Sequence, residues 1–87
     1  MIVVSYKPTF IRQYNSLEND LQEEVVLKIE LFKDKNNHKA LQVHKLHGRL
    51  KDCYSFSVNY KIRIVFNYAS KKEAVLLAVD DHDIYKN

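Results

Sequence analysis

Apolar and polar positions change period along the chain, and the changes mark out its elements. Residues 2–6, Ile-Val-Val-Ser-Tyr, are β-branched and aromatic and are stopped by Pro8, which predicts a short first strand. Pro8 suits the first turn of a helix, where a missing N–H costs nothing, and Phe10 and Tyr14 share a face of a brief helix running to about Tyr14. Asn15 and Ser16 interrupt it, and with Glu18 three residues after Asn15 they read as caps for the next helix. Leu17, Leu21, Val25, Ile29 and Phe32 then recur at helical spacing, predicting a long amphipathic helix that ends near Lys35. Acids lead at its start and Lys33 and Lys35 close it, as the helix macrodipole favours. Residues 39–45 fit either a connecting turn or an extended linker, and Gly48 marks a turn.

Beyond Gly48 the period becomes two. Tyr54, Phe56 and Val58 alternate with Cys53, Ser55 and Ser57, and Ile62, Ile64 and Phe66 alternate with Arg63, Val65 and Asn67. Asn59-Tyr60-Lys61 joins the two segments as a hairpin turn. After a polar turn at 70–73, residues 74–79 are almost continuously apolar, as in a central strand, and 80–87 read as a tail. A strand, two helices and a three-strand meander predict an α+β domain over 1–87: two N-terminal helices packed on one face of a small, mainly antiparallel four-stranded sheet, the other face left open. If Ile62, Ile64 and Phe66 face the helices, Arg63 projects onto the open face, where a mid-strand charge needs water or an anion.

Size and composition narrow this further. A chain of 87 residues has enough surface to bury for one core and not for two. With 46% hydrophobic and 29% charged residues it is neither a disordered tail nor a coiled coil. A single cysteine cannot close an internal disulfide, and no apolar run approaches the roughly 20 residues of a membrane span, so a reducing, cytoplasmic setting away from the membrane is expected. The net charge is only +3, but acids lead from Glu18 to Glu30 and bases from Lys33 to Arg63, which suggests a basic face turned toward a polyanion.

The candidate chemistry concentrates in residues 44–66. His44, His47, Arg49 and Lys51 lie on the segment that feeds the hairpin, and His82 sits just past the last strand, so the histidines could converge with Arg63 at one end of the open face. Histidine suits proton transfer near neutrality, and arginine and lysine beside it supply charge to a phosphorane-like transition state. The competing reading is a zinc site made of His44, His47, Cys53 and His82; against it stand the absence of paired Cys-x-x-Cys spacing and the neighbouring cations. Cys53 as a nucleophile is disfavoured by its place in a strand. No Walker A loop, G-x-G-x-x-G or G-x-S-x-G occurs, which removes nucleotide-binding and serine-hydrolase readings.

Leu46-His47-Gly48-Arg49-Leu50, then Tyr54, Phe56, Tyr60 and Ile62-Arg63-Ile64-Val65-Phe66, an apolar strand and a closing His82-Asp83-Ile84-Tyr85 resemble the RelE/ParE superfamily of bacterial type II toxins over nearly the whole chain. The resemblance implies a metal-independent endoribonuclease that needs no cofactor, cuts mRNA on the ribosome and is silenced by a cognate antitoxin. It places Arg63 at the scissile phosphate, His44 and His82 in shared general acid and base roles, and Tyr85 in stacking or orientation. His47, Arg49 and Lys51 would then contact RNA phosphate. The alternative within the same superfamily is a ParE-like inhibitor that binds DNA gyrase and has no nuclease activity.

Overall fold

The computed structural model describes residues 1–81, apart from the side chain of Arg49. Its elements follow in the order β1 (Val3–Tyr6), α1 (Pro8–Asn15), α2 (Asn19–Phe32), β2 (His44–Lys45), β3 (Tyr54–Ser57), β4 (Ile62–Ser70) and β5 (Glu73–Asp81). They form one sheet of order β1-β5-β4-β3-β2, in which β1 runs parallel to β5 and every other pair is antiparallel. The sheet therefore has five strands where the alternation predicts four. The extra one, β2, is only two residues long, too short for a period to show in its sequence.

Two boundaries differ from expectation for local reasons. Asn15 and Ser16 close α1 instead of capping α2: Ser16 is the C-cap, its N–H bonding to the Gln13 carbonyl, and the next N–H, of Leu17, bonding to the Tyr14 carbonyl. Glu18, in extended conformation, heads α2 and makes no side-chain capping bond. Helix α2 stops at Phe32, short of Lys35, because the Asp34 side chain accepts the Asn36 N–H at 2.9 Å and winds Lys35–Asn37 into a separate 3-10 turn. At the other end of the chain, Asp80 and Asp81 belong to β5 and are not tail residues.

Both helices bury their apolar stripes on one face of the sheet. Phe10 from α1 and Val25, Ile29 and Phe32 from α2 pack with Phe56, Ile62, Ile64, Phe66, Leu76 and Val79. Phe32 sits at the centre, stacked on Phe56 with ring centroids 4.5 Å apart and edge-on to Phe66 at 4.8 Å. Past Tyr6 the parallel partner of β5 ends, and Gln13 of α1 takes over, its Oε1 accepting the Val79 N–H at 2.9 Å. The β3–β4 turn is tied down in the same manner. Asn59 Oδ1 accepts the N–H groups of Lys61 and Ile62, and Lys28 of α2 donates to the Val58 carbonyl at 2.9 Å.

An irregularity in the β4–β5 ladder decides which residues reach the far face. Val65 pairs with Ala78, but the next residue, Phe66, pairs with Leu76, so Leu77 is left over. An extra residue reverses the inside–outside alternation of its strand. Leu76 and Val79, three apart, can therefore both enter the core, while Ala78 and Asp80 turn to the opposite side.

Candidate active site

The face away from the helices carries two cross-strand rows. Directly opposed residues in a sheet project on the same side, so the register places His44 of β2, Ser55 of β3, Val65 of β4 and Ala78 of β5 in one row. Ser57, Arg63 and Asp80 form the next. This face is not open across its width, as the sequence reading expects: Ser55 and Val65 in its middle are only 1% and 3% exposed. Two small residues make a sunken floor, with the longer side chains of His44 and Arg63 standing at either end of a diagonal across it.

Hydrogen bonds link the two ends. Arg63 Nη1 donates to Ser57 Oγ at 2.6 Å, and the Ser57 hydroxyl donates to Gln42 Oε1 at 3.0 Å. The backbone carbonyl of the same Gln42 lies 2.8 Å from His44 Nδ1. His44 Nε2 faces Ser55 Oγ at 3.5 Å, the outer limit of a hydrogen bond. Ideal strand spacing puts the His44 and Arg63 Cα atoms about 12 Å apart, two strands across and two residues along. Seating the guanidinium on Ser57 carries it one strand closer to the imidazole.

Arg63 is half-buried, and its register partner Asp80 does not neutralise it. Asp80 Oδ1 accepts the backbone N–H of Asp81 at 2.7 Å, and among the described residues no carboxylate oxygen lies within 4 Å of the guanidinium. The carboxylate of Asp81 is instead 3.9 Å from Lys61 Nζ. A half-buried guanidinium whose one bonding partner among the described residues is a neutral hydroxyl has most of its donor fork available for an anion.

The other residues singled out from the sequence are placed differently. His47 and Lys51 are exposed and flank the 3-10 turn Gly48–Leu50, in the loop that joins β2 to the Tyr54 end of β3, whereas Arg63 pairs with Ser57 at the other end. They extend the basic stripe and do not join the His44–Arg63 pair. Arg49 lies within that turn, where Gly48 has φ 73°, a left-handed conformation that favours glycine. His82 and Tyr85 lie outside the described residues. The last described residue, Asp81, pairs with Ile62, immediately before Arg63.

Sequence reasoning passed over Ser55, Ser57 and Gln42. The two serines share Arg63's parity in the alternating strand, so period two could have named them. No local pattern marks Gln42.

The zinc and nucleophile readings that rest on Cys53 run against its surroundings. Partial burial, and after it the neighbouring Asp52 carboxylate, push its thiol above the ordinary 9.0, which disfavours the thiolate that either role requires. Cys53 in the folded chain is expected to react with iodoacetamide several-fold more slowly, at about pH 8, than in the urea-unfolded chain. An equal or faster rate would show an activated thiol instead.

No protein-family model matches the chain, and no curated protein matches it. Solved structures do. A conserved hypothetical protein from Helicobacter pylori superposes with a TM-score of 0.73 at 20% identity, covering 95% of this chain and 97% of that one. The toxin–antitoxin complex RelBE2 from Mycobacterium tuberculosis gives 0.71 at 20% identity over 92% of this chain and 96% of the other. YafQ from Escherichia coli gives 0.72 at 12% identity over 100% of both chains. These likenesses cover 92–100% of the chain, so the protein has the α+β fold of the RelE-type toxin structures.

Proposed function

We propose that this chain is the toxin of a type II toxin–antitoxin pair and cuts mRNA in the cytoplasm, on the ribosome, with a cognate antitoxin holding it inactive until released. The observation that carries the reading is the placing of an oriented imidazole and a guanidinium without a carboxylate partner among the described residues on one face: His44 held by the Gln42 carbonyl, and Arg63 held by Ser57. RNA carries its own nucleophile, the 2′-OH. A protein that removes its proton, neutralises the phosphate and lets the 5′ oxygen leave needs no further reactant. The 2′-oxygen forms a bond to phosphorus as the bond from phosphorus to the 5′ oxygen breaks. The products are a 2′,3′-cyclic phosphate and a 5′-hydroxyl, the leaving oxygen taking a proton from His82 or from water. Arg63 supports the charge that develops on the phosphate oxygens. Lys51, Arg49 and His47 extend the basic stripe toward neighbouring phosphates, and Tyr85 is the stacking or orienting side chain.

The antitoxin reading has separate support. Tyr6, Phe10, Ile11, Tyr14, Val26 and Ile29 line an apolar groove of about 280 Å³ between α1 and α2, in which Tyr6, Ile11 and Val26 are exposed. Such a groove fits the apolar face of an amphipathic partner segment. Related structures from Mycobacterium tuberculosis and Pyrococcus horikoshii are of toxin or RelE chains bound to their partners. The gyrase-binding alternative draws no support from the relatives named here.

The test is to induce the chain in growing cells and map the ends of the mRNA fragments. Cleavage within translated regions, leaving 5′-hydroxyl ends, is expected. Growth arrest with intact mRNA, or fragments carrying 5′-phosphates, would overturn the reading.

A further inference from the structure

Gln42 is the one residue other than glycine with positive φ among the described residues, at 58°. A side chain with a Cβ is strained there, and such strain persists only where the surroundings impose it. Leu41 is sunk in the core at 5% exposure, and its carbonyl accepts the Ser57 N–H at 2.9 Å, which pins the loop against β3. The chain must then reverse within one residue to bring His44 into register with Ser55. The left-handed turn at Gln42 makes that reversal, and it aims two groups of one residue at the two halves of the site. The carbonyl meets His44 Nδ1 and the side-chain oxygen meets Ser57, which holds Arg63.

A carbonyl oxygen has no proton to give, so the contact at 2.8 Å requires the hydrogen on Nδ1. In the neutral ring Nε2 then carries no hydrogen, and its one hydrogen-bonding neighbour among the described residues is the Ser55 hydroxyl at 3.5 Å. We infer that Gln42 is a positioning residue that sets His44 in the tautomer of a general base while fixing Arg63 through Ser57. The assignment of base over acid rests on the RNA-cleavage reading above; the tautomer and the linkage rest on geometry alone. In the reaction, His44 Nε2 takes the 2′-OH proton and becomes the imidazolium, whose Nδ1–H bond to the carbonyl strengthens with the positive charge.

Three variants separate backbone from side chain. Gln42→Gly keeps the left-handed turn and the carbonyl but deletes the bond to Ser57. Gln42→Glu keeps an acceptor at the same reach. Gln42→Val is a β-branched residue that resists positive φ and so moves the carbonyl. The ¹⁵N shifts of the His44 ring in the purified chain read the tautomer without any substrate. Nδ1–H is expected in the wild type, Gln42→Gly and Gln42→Glu, and its loss in Gln42→Val, with circular dichroism confirming that each variant is folded. RNA cleavage by Gln42→Gly is expected to fall in kcat on the order of ten- to a hundredfold with KM little changed, and Gln42→Glu to restore most of it.

A wild-type His44 protonated on Nε2 overturns the inference even if RNA is cut. So does an Nδ1–H signal unmoved in folded Gln42→Val. A wild type with the expected tautomer that cuts no RNA overturns the cleavage reading while supporting the positioning by Gln42.

Discussion

Replacing Arg63 with alanine is expected to lower RNA cleavage by on the order of 10²–10³-fold and to abolish growth arrest, with the fold retained. The guanidinium is the half-buried cation on the site face, and its one protein partner among the described residues is the Ser57 hydroxyl 2.6 Å away. A phosphate in the transition state gains charge on its oxygens. A preorganised donor fork already seated at that point stabilises the charge without having to reorganise. The loss should leave little structural damage, because Ser57 keeps its bond to Gln42 and Arg63 takes no part in the core on the helix side. Arg63→Lys is expected to recover only part of the rate, since an ammonium is a point charge without the planar fork that grips both a phosphate and the serine. The measurement is the initial rate of fragment appearance beside a thermal melt of each variant. An Arg63→Ala protein that cuts within about twofold of wild type would show that the phosphate is held elsewhere.

Phe32→Ala is expected to remove about 3–5 kcal/mol of stability, a large part of the roughly 5–15 kcal/mol a domain has in total. The ring is fully buried at the end of α2 and touches three others: Phe56 at 4.5 Å, Phe66 at 4.8 Å and the imidazole of His38 at 4.7 Å. Truncation would open a cavity between helix and sheet that rigid neighbours cannot close. It would also loosen the loop that leads to Gln42, because His38, stacked on Phe32, bonds through Nε2 to the Phe32 carbonyl at 2.7 Å, and its own carbonyl accepts the Val43 N–H. Urea denaturation followed by tryptophan-free probes such as far-ultraviolet dichroism reads the shift in midpoint. A change below about 1 kcal/mol would mean that the cluster repacks, and that this centre of the core is not where the stability lies.

The histidine at 38 shows how one residue type takes different roles according to its surroundings. His38 is stacked in the core edge and bonded to a backbone carbonyl, while His44, also bonded to a carbonyl, presents its second nitrogen to a floor of small residues. Both are histidines followed by a lysine in the sequence. Burial and register separate them, and neither is a property of a short window of residues.

Strand parity carried Arg63 to the correct face before any coordinates, because side chains in an extended strand must alternate whatever the strand pairs with. Helical spacing likewise placed Val25, Ile29 and Phe32 on the core stripe of α2. Such local periodicities follow from backbone geometry, so the chain states them residue by residue. The strand at 44–45, the leftover Leu77 that turns Asp80 outward, and the left-handed Gln42 that joins His44 to Arg63 were decided by which segments came to lie side by side. Pairing register is a long-range choice, made when core packing on one face fixes how the strands slide. Its result appears on the other face, where no local pattern records it.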